Sequence, residues 1–162
     1  MFVKIINMFY RLLKIIEDNL VVILLGIMVV NVSVGVFCRY VLNNSLSWTE
    51  EFARYLMVWF AFIGMAIAFR DESHVNVSVI VDLFPSFIRQ LIKIISYLVI
   101  LWFLDILFLQ TFKVLRVVSI QRSPAIRMPM MYPYLSVTFG SFLMSIEVIR
   151  LICASARTLL KK

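Results

Sequence analysis

Leu20 to Phe37 is a run of 18 residues without a charge, bounded by Asp18 and Arg39. A membrane-spanning helix needs about 20 predominantly apolar residues. Its backbone polar groups find no water in the bilayer and must bond within the segment. Three further long apolar stretches follow, so the chain reads as four spans. Composition agrees: hydrophobic residues are 63 % of the 162 positions and charged residues 15 %, against roughly 45–50 % and about 25 % in soluble domains. A soluble enzyme, a disordered chain and a disulfide scaffold are thereby excluded. The expected fold is one all-α integral membrane domain over residues 1–162, with four transmembrane helices and an N-terminal amphipathic interfacial helix.

The interfacial helix is expected over residues 1–19. Lys4, Asn7, Arg11, Lys14 and Asp18 lie at steps of three and four, which places one polar stripe on an otherwise apolar helix. That pattern suits a segment lying in the headgroup plane; the alternative is a plain extension of the first span. The spans are expected near residues 20–37, 48–69, 87–112 and 132–149. The first apolar run exceeds a signal-peptide core and no small-residue cleavage site follows it. Ser47-Trp48-Thr49-Glu50 reads as a capping box at the start of the second span, and Ser86 as the cap of the third. Residues 74–83 alternate Val with polar side chains, but a lone strand in lipid leaves its backbone unpaired, so a short interfacial or re-entrant segment is expected.

The formal net charge is +7, and the basic residues flank the apolar blocks, as headgroup anchors do. That distribution opposes nucleic-acid binding. The N-terminal segment, the second loop and the tail hold ten Lys and Arg, against six in the first and third loops. The positive-inside rule then places both termini in the cytoplasm. In that topology Cys38 and Cys153 lie at opposite membrane faces, about 30 Å apart, beyond disulfide reach.

One His is present and no dense carboxylate cluster, so neither paired axial haem ligands nor a closed zinc site can be assembled. No Gly-rich phosphate loop or nucleophile elbow occurs. No cofactor, metal or catalytic residue is therefore expected, and the chain does not read as an enzyme. The densest polar constellation is Trp48, Glu50, Glu51 and Arg54. Glu50 and Glu51 stand four and three residues before Arg54, which allows helix capping with an interfacial ion pair, or a contact site for a partner. Asp105 lies within the third apolar run, about two turns from Lys113. An interhelix hydrogen bond or partner contact is favoured for it over ion coupling, and an interhelix hydrogen bond for Asn31. Gly64/Ala68, Ser136/Gly140 and Ser141/Ser145 are small-residue pairs that let helices approach closely.

The run Arg39-Tyr40, then Ser47-Trp48-Thr49-Glu50-Glu51, then Arg54-Tyr55 has the form R-Y…W-x-E-E-x-x-R-Y. Gly64, Arg70 and His74-Val75 continue it, and Ser123-Pro124-Ala125-Ile126, Pro129, Tyr134 and Gly140 form a later block. Over roughly residues 20–150 this resembles the DctQ-like small membrane subunit of tripartite ATP-independent periplasmic (TRAP) transporters. Arg127 departs from the pattern, where an uncharged residue is usual. The resemblance implies a non-catalytic, multi-pass subunit of the bacterial inner membrane, with both ends cytoplasmic. It implies a larger multi-span partner with the substrate and sodium sites. It also implies a periplasmic binding protein that delivers an organic acid, of the C4-dicarboxylate or sialic acid class. The small subunit then serves as a scaffold, and Trp48, Glu50, Glu51, Arg54, Gly64, Ala68, His74, Asp105, Ser136 and Gly140 are the candidate partner contacts. The competing reading is a small self-assembling exporter or channel, for which only Asp105 and Asn31 offer intramembrane polar groups.

Overall fold

The computed structural model describes residues 2–71 and 85–160. His74 and the alternating stretch around it lie outside the described residues. Four helices are present: α1, Phe2–Tyr40; α2, Ser47–Arg70; α3, Ser86–Val118; and α4, Met131–Leu160. Each is long and apolar enough to cross a membrane.

Helix α1 has 39 residues and a length of about 58 Å at 1.5 Å per residue. The amphipathic segment forms no separate interfacial helix and runs without a break into the first span. The physical reason lies in the sequence and in α2. No Gly or Pro precedes Gly26, and Glu17 and Asp18, which bound the uncharged run, both pair with Arg70 of α2.

Neither expected cap forms. Leu46 occupies the N-cap of α2 with no side-chain cap bond, and Ser47 is already helical. Glu50 pairs with Arg39 of α1, so its carboxylate does not return to the Ser47 amide. Pro85 precedes α3, and Ser86 opens the helix without capping it.

The helices pack in an open row, with α1 on α2, α2 on α4 and α4 on α3. Seven-residue periodicity explains the order of contacts. On α1 the inward positions are Glu17, Val21, Leu24, Met28, Asn31, Gly35 and Cys38, at alternating steps of four and three. They face Thr49, Leu56, Ile63 and Arg70, spaced by sevens along α2. Helix α3 likewise buries Tyr97, Leu104, Thr111 and Val118. Such seams are the pattern of near-parallel helix packing. Helices α1 and α3 each have one seam along their spans; α2 and α4 have two each, and α4 is the most buried span. The core joins α2, α3 and α4 through Ala66, Tyr97, Leu104, Leu143, Met144 and Val148.

Two glycines set the close approaches. A Cβ on Gly140 would stand 2.5 Å from Cβ of Phe62, and one on Gly35 would stand 2.8 Å from Oγ1 of Thr49. Both cysteines are free. Outside these seams the helices present large apolar side chains, such as Val22, Val30, Trp102 and Leu109, to the surroundings.

Candidate functional site

At the end of the row that carries the α1–α2 and α3–α4 loops, Glu51 is 2 % exposed. A buried carboxylate is tolerated only when its oxygens are bonded. The Tyr55 hydroxyl donates to one oxygen. The Ala125 amide donates to the other at 2.8 Å. Glu51 thus ties α2 to the connection between α3 and α4, and it makes no ion pair with Arg54, contrary to the helical spacing. The connection is itself folded. Arg122 and Pro129 form an antiparallel bridge, and the Ser123 amide donates to Met128 O at 2.9 Å. The buried Ser123 hydroxyl accepts from the Met128 amide at 3.2 Å. Arg127 sits at φ 58°, in the left-handed region where side chains other than Gly, Asn and Asp are uncommon.

Glu50 points the other way, toward Arg39 on α1. Arg39 also reaches Ser45 Oγ at 3.4 Å. Below this pair, Asn31 Nδ2 donates to Thr49 O at 2.7 Å, the interhelix bond expected of Asn31. Arg54 is exposed and forms no ion pair among the described residues. It rims an apolar cleft of about 470 Å³ lined by Tyr55, Val58, Met130, Pro133 and Tyr134. Trp48 is half-exposed, beside Phe52, Ala125 and Ile126. The expected cluster is therefore divided: Glu50 braces α1, Glu51 braces the loop, and Trp48 and Arg54 face outward. Arg54, Arg122 and Arg127 leave this end with exposed positive charge.

At the opposite end lies a charged network that the sequence reading overlooked. Arg70, its side chain 5 % exposed, meets Glu17 at 3.0 Å, Asp18 at 2.6 Å and Asp71 at 3.3 Å. Arg150 donates to Arg70 O at 2.8 Å and to Glu147 Oε2 at 2.8 Å. The Tyr10 hydroxyl donates to Glu147 at 3.2 Å. Helices α1, α2 and α4 are locked together here. The signal was present: Glu17 falls two heptads before Asn31, and Glu147 interrupts an apolar run three residues before Arg150.

The small-residue pairs separate. Ser136 is fully buried, with its hydroxyl donating to Pro133 O at 2.6 Å, and Gly140 meets Phe62. That face is internal. Gly64 has open space where a Cβ would go, so with the half-buried Ala68 it faces away from the packed seam. Asp105 is exposed on α3. Among the described residues no three His, Cys, Asp or Glu side chains converge to hold a metal ion. The arrangement braces helices.

Residues 27–158 match the family model for the DctQ component of tripartite ATP-independent periplasmic transporters. A relative in Haemophilus influenzae, provisionally named a TRAP transporter small permease protein, is 38 % identical over 79 residues, 49 % of each chain. The sialic acid TRAP transporter small permease protein of Vibrio cholerae is 30 % identical over 81 residues, 50 % of this chain and 47 % of its own. The isethionate TRAP transporter permease protein DctMQ of Oleidesulfovibrio alaskensis is 26 % identical over 112 residues, covering 68 % of this chain and 18 % of its own. The matched regions thus span about half the length of the small permease relatives and a small part of the longer one.

Proposed function

Because the chain belongs to the DctQ component family of TRAP transporters, we propose that it is the small, non-catalytic membrane subunit of a sodium-driven secondary transporter for an organic acid. Its role is to hold a larger membrane subunit, which carries the substrate and sodium sites, in a fixed setting. The observation that carries this reading is the open row of helices. Polar side chains buried within it, Glu17, Asn31, Glu51, Arg70 and Glu147, are bonded to one another, to neighbouring side chains or to backbone. A row with single-seam helices at its edges leaves apolar surface for another membrane protein to cover, and its polar groups serve bracing rather than transport.

The relatives support the partner and the cargo class. One of them carries the matched region within a much longer permease chain, which supports a large subunit beside this one. Relatives are named for sialic acid, C4-dicarboxylate and isethionate, all organic anions. With the termini cytoplasmic, as the ten-to-six charge distribution favours, the Glu51-anchored loop faces the periplasm, where a substrate-binding protein docks. The alternative of a self-assembling exporter or channel is disfavoured because Asn31, one of its two intramembrane polar groups, is already bonded to Thr49 O within the chain.

The test is co-expression with the larger membrane subunit and the binding protein, followed by reconstitution in vesicles. Uptake of labelled C4-dicarboxylate, sialic acid or isethionate is measured with and without a sodium gradient. The expected result is sodium-dependent uptake of one anion that requires all three proteins. Purification of this chain as a homo-oligomer that transports by itself overturns the reading.

A further inference from the structure

Helix α3 carries a carboxylate where lipid gives it nothing to bond. Lys93 and Lys113 bracket its apolar stretch, twenty residues apart, or about 30 Å along a helix, which is the hydrocarbon thickness. Asp105 lies about 18 Å from the first lysine and about 12 Å from the second, well inside those limits. Leu91, Ile95, Leu98, Trp102, Asp105 and Leu109 follow one another at steps of four and three, and all six are exposed. They form one face of α3. The opposite face, with Tyr97, Leu104, Thr111 and Val118, is buried and packs on α4.

Among the described residues nothing answers the carboxylate. Its helical neighbours at three and four positions are Leu101, Trp102, Phe108 and Leu109, and none is bonded to it. Lys113 is too far along the axis to reach it. Among the described residues Asp105 has no ion pair, while α1 and α2 lie on the far side of α4 in the row. Lipid tails satisfy the five apolar side chains of this face but cannot satisfy a carboxylate at that depth.

We infer that this face of α3, centred on Asp105, docks a transmembrane helix of the larger subunit that presents a basic side chain to Asp105 at mid-membrane depth. The inference rests on the functional reading above and deepens it by assigning the contact. Charge complementarity selects the occupant. The partner must be apolar along its length, to match Ile95, Leu98 and Leu109, and cationic at one level, to match Asp105. A membrane helix with a lone Lys or Arg has the same need for a counter-charge that Asp105 has.

The test uses the assembled complex in native membranes. Asp105→Leu makes α3 more apolar, so a lipid-facing position accepts it without loss. A docking position does not, because the substitution strands the partner's cation. Recovery of the larger subunit on the tagged small subunit is expected to fall at least tenfold with Asp105→Leu, at unchanged abundance of the small subunit in the membrane. Asp105→Asn, which keeps a hydrogen-bond acceptor, is expected to lose less than Asp105→Leu. Independently, with Cys38 and Cys153 replaced by Ala, Leu98→Cys and Leu109→Cys are expected to cross-link to the larger subunit. Equal recovery with Asp105→Leu, or cross-links only between two copies of this chain, overturns the assignment while the functional reading stands. Absence of any larger subunit with the unaltered chain overturns both.

Discussion

The carboxylate of Glu51 on α2 accepts the backbone N–H of Ala125 at 2.8 Å, across 74 residues of sequence. This bond, with the Glu51 carboxylate held by Tyr55 of the same helix, gives the connection between α3 and α4 its fixed seat on α2. Replacing Glu51 by Ala leaves the Ala125 amide and the Tyr55 hydroxyl without their acceptor, and a stranded buried group costs about 1–3 kcal/mol. The thermal midpoint of Glu51→Ala in detergent is expected to fall. Limited trypsin digestion is expected to cut at Arg122 or Arg127 well before it does so in the unaltered protein. Digestion at the unaltered rate would show that the loop holds without Glu51.

Arg70 and Glu17 form the most buried ion pair among the described residues, with side chains 5 % and 6 % exposed. Removing one partner of such a pair destabilises by about 3–5 kcal/mol, because a charge stays buried without compensation. Arg70→Met is therefore expected to reduce folded yield sharply. Glu17→Leu combined with Arg70→Met is expected to recover a good part of it. A double variant no better than Arg70→Met alone would place the importance of Arg70 in its contacts to Asp18 and Asp71.

The two candidate glycines have opposite surroundings. Gly140→Leu meets Phe62 at a point where even a Cβ stands 2.5 Å away, and overpacking of this kind costs about 1–3 kcal/mol or more. Gly64→Leu enters open space and is expected to melt no lower than the unaltered chain. Pull-down of the larger subunit with Gly64→Leu then reports whether a partner helix approaches that notch: reduced recovery at normal stability is the expected result.

Glu50 pairs with Arg39 on the neighbouring helix, at an exposed site where such pairs contribute about 1 kcal/mol or less. Glu50→Ala with Arg54→Ala is expected to change abundance little and to lower transport more. Charge exchange, Arg39→Glu with Glu50→Arg, is expected to melt close to the unaltered protein, since the pair re-forms. Normal transport by Glu50→Ala/Arg54→Ala at normal abundance would remove these side chains from the candidate partner contacts.

The strained backbone at Arg127 yields a simpler expectation. A non-glycine residue in the left-handed region is disfavoured by roughly 1 kcal/mol. Arg127→Gly relieves that and is expected to raise the thermal midpoint slightly, whereas the β-branched Arg127→Val is expected to lower it.

Four spans and an all-helical membrane fold were legible in the chain because length and polarity of a run are local properties. A span long enough to cross lipid must be helical to bond its own backbone. The inward faces were not legible, since α3 is apolar all round and only burial in the folded chain singles out Thr49, Leu56, Ile63 and Arg70, or Tyr97, Leu104, Thr111 and Val118, at seven-residue intervals. The capping box, the Glu50–Arg54 pair and the break after residue 19 were misread for one reason. Each is a rule of an isolated helix, and in the folded chain Arg39, Ala125 and Arg70, from other parts of the chain, take up these carboxylates. An apolar run says that a helix is in the membrane and is silent on which side of it another helix buries. The row α1–α2–α4–α3, the division of Glu50 from Glu51, the open space beside Gly64 and the exposure of Asp105 alongside the burial of Gly140 were settled only by tertiary packing. The deciding contacts join residues on different helices or loops, from Arg39 with Glu50 to Arg70 with Glu17 and Ala125 with Glu51, and no periodicity within a single helix encodes them.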